Sequence, residues 1–322
     1  MDAIDRGSAF HADEIAAQRR VGMDQRMDIV GRTSVRDYMP DQHREFFAQL
    51  PFLFVAALDG EGQPWATLMT GEPGFLSTPD ERTLRVAAQL LPGDPLAGQM
   101  HAGDYIGALG LSPATRRRNR ANGVIEAVGD GDLRIAVQQS FGNCPKYIQA
   151  RGHQARQAPG NEADAGPRVL RSAALSDADK ALIAQADTFF IASANVGPSA
   201  GLGRGVDMSH RGGRPGFIRI GEDGVLTAPD FMGNFFFNTI GNLVGHPRAG
   251  LLFIDFASGD MLHLAVEAEV VWDGPEVQAI AGAERLLRFR VREVVRNVAA
   301  LPFRWSEPEP SPYLDRLETV LG

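Results

Sequence analysis

Two stretches hold the densest set of groups able to grip a ligand. One is Ser209-His210-Arg211-Gly212-Gly213-Arg214-Pro215-Gly216-Phe217; the other runs Pro229-Asp230-Phe231-Met232-Gly233-Asn234-Phe235-Phe236-Phe237-Asn238-Thr239-Ile240-Gly241-Asn242. Hydroxyl, guanidinium and amide groups sit beside glycines that let backbone N–H groups come close, which is what a phosphate needs. The aromatic run offers flat apolar surface for a ring system, and Asn and Thr can address its polar edge. Asn234, Asn238 and Asn242 are four apart and would share one helix face, a costly surface unless it has something to bond. A plain alternative stays open, with Phe235 to Phe237 as core and the asparagines as turn formers.

Other reactive groups are sparser. Arg116, Arg117, Arg118 and Arg120, with Asn122 and then Lys146, form a second cationic group that could close a site or simply face water. RNA binding is disfavoured, because no aromatic residues interleave with that run and the net charge is −8. His210 beside Arg211 could donate to a phosphate or a ring carbonyl, or stand in a solvated turn. The remaining histidines, at 11, 43, 101, 153, 246 and 263, show no spacing with carboxylates that suggests a metal site. Cys144 is the sole cysteine, which excludes a disulfide framework and a four-thiolate cluster; beside Lys146 it is a reactive thiol or a structural one. Gly201-Leu202-Gly203-Arg204-Gly205 lacks the strand, long helix and later acid of a dinucleotide loop.

The elements that would position these groups occur twice. Asp41 to Leu50 has helical spacing at His43, Phe46, Phe47 and Leu50, and Pro51 stops it before the apolar strand Phe52 to Leu58. Ser176 is placed to cap a second helix running to Ala186, followed by the strand Phe189 to Ala194. Phe52 with Phe189, Pro73-Gly74-Phe75 with Pro215-Gly216-Phe217, and Tyr105-Ile106-Gly107 with Leu251-Leu252-Phe253 align at offsets of 137, 142 and 146. Such a slow drift fits a duplicated unit with small loop insertions. Residues 151–172, with Gly152, Pro159, Gly160, Gly166 and Pro167, read as a linker or mobile loop. Leu287, Phe289 and Val291 alternate with Arg288, Arg290 and Arg292 as a half-exposed strand does.

The expected fold is therefore mainly β within an α+β class. It divides into a helical extension (1–40), a first half (41–150), a linker (151–175), a second half (176–300) and a tail (301–322). Composition is that of an ordinary water-soluble chain, 44% hydrophobic and 22% charged. No apolar run suits a signal peptide or a spanning helix, so a cytoplasmic location and no membrane partner are expected.

The segments VDMSHRGGRPGF, LTAPDFMGNFFFNTIGN and HPRAGLLFIDF between Val206 and Phe256 resemble the flavin-binding half of the pyridoxamine 5′-phosphate oxidase-like family. LDGEGQPWATLMTGEPGF (58–75), TRRRNRANG (115–123), NCPKYIQAR (143–151), FHADE (10–14) and DQHREFFAQLPF (41–52) extend the resemblance over most of the chain. It implies two tandem split β-barrel halves with flanking helices, holding FMN at their junction. By position, Ser209, His210 and Arg211 would be the first phosphate-gripping element and Asn234, Asn238, Thr239 and Asn242 the second. Pro229, Asp230, Phe235 and Phe236 would flank them, with Arg117, Asn122 and Lys146 closing the site from the first half. The vitamin-pathway oxidases carry Ser-Arg-Lys at the second element, where this chain has asparagines. Pyridoxamine phosphate is therefore not implied as substrate. The family generally works as a dimer, and some relatives continue into a reductase and iron–sulfur module. One cysteine cannot build that module, so an electron donor would be a separate reductase or free reduced nicotinamide. What the resemblance implies is an FMN-dependent oxidoreductase acting on a small molecule; the alternative is a carrier or sensor of flavin, haem or deazaflavin.

Overall fold

A computed structural model describes residues 8–72, 74–155, 168–197 and 203–318. Pro73, Gly201-Leu202 and the prolines and glycines at 159, 160, 166 and 167 lie outside the described residues.

Helices α1 (Ala12–Arg20), α2 (Asp24–Ser34) and α3 (Asp41–Ala48) precede strands β1 (Phe52–Leu58), β2 (Pro64–Thr70), β3 (Leu76–Ser77), β4 (Thr83–Val86), β5 (Tyr105–Ser112), β6 (Arg117–Gly129) and β7 (Asp132–Gly142). After β8 (His153–Ala155) and β9 (Arg168–Ser172) come α4 (Asp177–Gln185), β10 (Thr188–Asn195), β11 (Gly205–Gly212), β12 (Arg219–Ile220), β13 (Leu226–Phe231) and α5 (Asn238–Gly245). The rest is β14 (Arg248–Ile254), β15 (Met261–Val271), α6 (Pro275–Gln278), β16 (Ala283–Val298), β17 (Phe303–Trp305) and α7 (Pro312–Glu318). Local signals explain two of the helix starts. His11 caps α1 in a reciprocal box with Glu14, and Ser176 caps α4 with Asp179 in the same way.

The chain is mainly β and its sheets are antiparallel. One sheet has the order β2-β1-β5-β6-β7-β4-β3 and the other β11-β10-β14-β15-β16-β13-β12, with β9 added beside β16. Raising each label of the first by nine gives the second. Finer marks repeat as well: a bulge at Gln138 on β7, opposite Asn122, matches one at Arg292 on β16, opposite Ala265. Gly71 and Gly213 each lie against a phenylalanine ring four residues on, Phe75 and Phe217, and Gly74 and Gly216 both take positive φ. Hydrogen-bonded pairing does not close either sheet into a barrel among the described residues.

The duplication shifts register relative to the sequence expectation. Phe54 pairs with Leu109 as Phe190 pairs with Leu252, so the true offsets are 136 for β1 and β10 and 143 for β5 and β14, against the expected 137 and 146. Both β1 and β10 are buried on both faces, which removes the alternation that would have fixed their register. The linker expectation changes too. Its ends are strands, β8 pairing with β17 and β9 with β16.

The halves meet about a pseudo-twofold axis. Phe54 and Phe190, equivalent by register, stack on each other at 3.7 Å and 18°. A Cβ on Gly107 would lie 2.5 Å from the Val206 carbonyl, and one on Gly250 would lie 2.4 Å from that of Pro64. Only glycine permits β5 to approach β11, and β14 to approach β2, so closely.

Candidate functional site

At one end of this junction a cleft of about 950 Å³, its open mouth included, is lined by both halves. The second half supplies the end of β11 (Ser209 to Gly212), the end of β13 (Pro229 to Phe231), the following loop, the first residues of α5, and Arg285 on β16. The first half supplies Leu109, Arg118 and Arg120 from β5 and β6, and Asn143, Cys144, Lys146 and Tyr147 from the segment after β7.

Strand geometry decides which arginines enter. On β6 the two-residue period sends Arg118 and Arg120 inward, while Arg117 is exposed, lies 4.5 Å over the Phe46 ring and donates to the Gln42 carbonyl. Arg120 is buried and bonds the Asp207 carboxylate and the Ser209 hydroxyl, both at 2.5 Å. Arg118 donates to the main-chain carbonyls of Cys144 (2.9 Å) and His210 (3.3 Å). Burial, then the neighbouring guanidinia of Arg120 and Arg211, push its pKa down to about 9. Arg211 and Arg285 share the carboxylate of Asp230.

Five cations, Arg118, Arg120, Lys146, Arg211 and Arg285, thus line the cleft against one lining carboxylate, Asp230. A low-dielectric pocket with that imbalance attracts an anion. Unspent donor capacity agrees: Nε of Arg211 and of Arg285 is buried without a partner, as is Nδ1 of His210. Burial, reinforced by Arg118 and Arg211, holds the His210 pKa well below the usual range, so its imidazole is neutral.

Aromatic groups share the lining with these cations. Phe231, Phe235, Phe237 and Tyr147 line the cleft, with Tyr147 5.3 Å from Phe231. Phe235, Phe237 and Tyr147 all take left-handed backbone, at φ +61°, +60° and +64°. Bulky residues seldom adopt that conformation, and surrounding structure must enforce it; such strain gathers at ligand clamps.

Of the residues singled out in the sequence, Ser209, His210, Arg211, Pro229, Asp230, Asn234, Phe235, Asn238, Thr239 and Lys146 line this cleft. Arg117, Asn122, Phe236 and Asn242 do not. Phe236 packs into a small core with Phe10 and Phe141, and Asn122 bonds Asp207 at 2.8 Å. The three asparagines do not share a helix face, because α5 begins at Asn238; Asn234 sits in the preceding loop, its side chain capping the Phe236 N–H. Asn238 and Asn242 do share one, and what they bond is α1 together with β10 and β11. Asn238 donates to Glu14 (2.6 Å), and Asn242 bonds His11 (2.9 Å), Ser193 (3.0 Å) and Asp207 (2.8 Å). Glu14 is buried, and desolvation with the nearby Asp207 charge raises its pKa well above the ordinary carboxylate value. The FHADE segment is therefore the strut behind the cleft wall. Arg285 was not singled out, yet it shares the inward parity of Leu287 and Phe289 on β16, and a charge on a core-facing parity was its signal.

No family model matches the chain, and no curated protein matches it. Among solved structures it is similar to a variant of HupZ from Group A Streptococcus (12% identity, TM-score 0.29, 38% of this chain and 98% of that one). It is also similar to a Lactobacillus delbrueckii protein provisionally named a pyridoxamine 5′-phosphate oxidase (12%, 0.29, 38% and 94%). A FAD-binding protein of Mesorhizobium loti is similar to the same degree (12%, 0.29, 41% and 98%). No helix of the described residues is long and apolar enough to cross a membrane.

Proposed function

We propose that the two sheets are paired split barrels and that the cleft between them holds FMN for an oxidoreductase reaction on a small molecule. The observation that supports this reading is a lining that joins five cations and one carboxylate with the rings of Phe231, Phe235, Phe237 and Tyr147. A dianionic phosphate joined to a planar ring matches both kinds of group. The residues fit such a group: Arg118 and Lys146 are free of carboxylate partners among the described ion pairs, and buried donors on Arg211 and Arg285 stand unused. Bound there, the flavin would supply hydride transfer. The chain's task is to grip the phosphate through Arg118, Arg211 and Lys146, to bond the ring edge through Ser209, Thr239 and the neutral His210, and to keep water from the ring.

The first test is the visible spectrum of the purified protein and the identity of what denaturation releases; FMN is expected, and a colourless protein that FMN does not colour on titration refutes the reading. Arg211→Ala should weaken FMN binding about tenfold or more while leaving riboflavin within about threefold, since only FMN carries the phosphate. Equal losses would contradict the assignment. Anaerobic bleaching by reduced nicotinamide or an amine donor separates an enzyme from a carrier.

A further inference from the structure

The pseudo-twofold axis that places one cleft at the junction defines a second, equivalent position on its other side. Strand register identifies the counterparts of the cleft residues there. Because Phe54 pairs with Leu68 as Phe190 pairs with His210, Ser209, His210 and Arg211 correspond to Thr67, Leu68 and Met69. Because Leu111 pairs with Arg118 as Ile254 pairs with Met261, Arg118 and Arg120 correspond to Met261 and His263. Ala228 on β13 corresponds to Val86 on β4, and two residues further Asp230 corresponds to Ala88.

Each charge traced in this way has been replaced by a neutral or titrating group at the equivalent position. Leu68, Met69 and Met261 are buried to within 1%. The segment after β4, residues 91–100, packs against these positions. Asp94 accepts from the Thr67 hydroxyl, as Ser209 accepts from Thr239 on the other side. The Pro92 carbonyl accepts from Asn297 at 2.9 Å, and Leu96 is fully buried in the first core. His263, where Arg120 would be, bonds the Ala66 carbonyl at 2.9 Å and is itself fully buried.

We infer that this chain carries one ligand site where its symmetry provides two positions: the first half has given its own position over to packing, and serves the second half's site by supplying Arg118 and Arg120. The division of labour rests on the proposed reading of the surviving cleft as the ligand site. It assigns Arg118 and Arg120 to ligand contact across the junction, and it sets the capacity at one ligand per polypeptide.

Reciprocal substitutions test it without any ligand. Met69→Arg and Met261→Arg place a charge in packed core and should lower Tm by about 10 °C or more, or prevent folding. Arg211→Met and Arg118→Met empty a charged cleft and should stay within about 3 °C of the parent. Tolerance of both arginine insertions, or equal losses in both directions, would overturn the inference. The flavin arm reads stoichiometry: one FMN per chain by absorbance and native mass spectrometry is expected, and two per chain would overturn it. If no FMN binds, the cofactor reading falls, and the reciprocal variants alone still decide whether the two positions differ as inferred.

Discussion

The contact between α1 and α5 can be broken by one methyl group. Gly241 lies on α5 where a Cβ would stand 2.6 Å from Glu14 Cγ, 2.7 Å from its N and 2.8 Å from its Cα. Two of these are backbone atoms of the α1 turn, so the helix as a whole would have to retreat by about 0.7 Å to restore ordinary contact. That movement stretches the Asn238–Glu14 bond from 2.6 Å and the His11–Asn242 bond from 2.9 Å toward the limit of hydrogen bonding. Losing two buried bonds costs about 2–5 kcal/mol, while exchanging Gly for Ala in a helix returns about 1 kcal/mol. Gly241→Ala should therefore destabilise by about 3 kcal/mol, a fall in Tm of about 4 °C for a chain of this size. Gly245→Ala is the control on the same helix. Its Cβ would meet only the tip of Asp13, a half-exposed side chain that can swing aside, so Tm should hold or rise slightly. Thermal melts followed by circular dichroism read both. If Gly241→Ala melts at or above the parent temperature, α1 does not dock on α5 in this register and the strut behind the cleft is refuted.

Arg118→Ala should reduce FMN affinity about 10- to 100-fold, the range for removing one charge-assisted hydrogen bond, whereas Arg117→Ala should leave it within about twofold; fluorescence-quenching titrations read the contrast, and a reversed order would show that β6 presents its other face. Acid should weaken the fold through its buried histidines. Burial lowers His43 to about 4, and lowers His11, His210 and His263 as well. Each is neutral when folded but would take a proton near pH 6.5 when unfolded, so their stabilisation is complete above pH 6.5 and fades as pH falls, for His43 down to about 4. Urea midpoints between about pH 7 and 4 should decline along that window, and His43→Gln should flatten part of the slope; a flat parent curve would contradict the burial assigned to these rings.

Much of the architecture could be read from the chain because its signals are local. The Ser176 cap, the stop at Pro51 and the Gly-Phe pairs at 74–75 and 216–217 each act within a few residues, and all describe elements that the fold contains or repeats. The cleft's second-half wall was legible for the same reason, since Ser209 to Arg211 and Pro229 to Thr239 are continuous segments. What escaped were partnerships across long separations. Nothing near Asn242 announces that His11, 231 residues earlier, takes its amide oxygen, so a face bonded to α1 reads as one awaiting a ligand. The choice of Arg117 over Arg118 turned on the phase of one strand, and a run of consecutive arginines carries no alternation to set that phase.

The stacked pair Phe54 and Phe190 sits on the axis that relates the halves. In an assembly of two identical chains, the residue at such a point meets its own copy, and any mutation there strikes both partners at once. Joining the halves in a single polypeptide lifts that constraint. One ring can enlarge while the other shrinks, and the two sides of the molecule are free to diverge in sequence without disturbing the seam that holds them together.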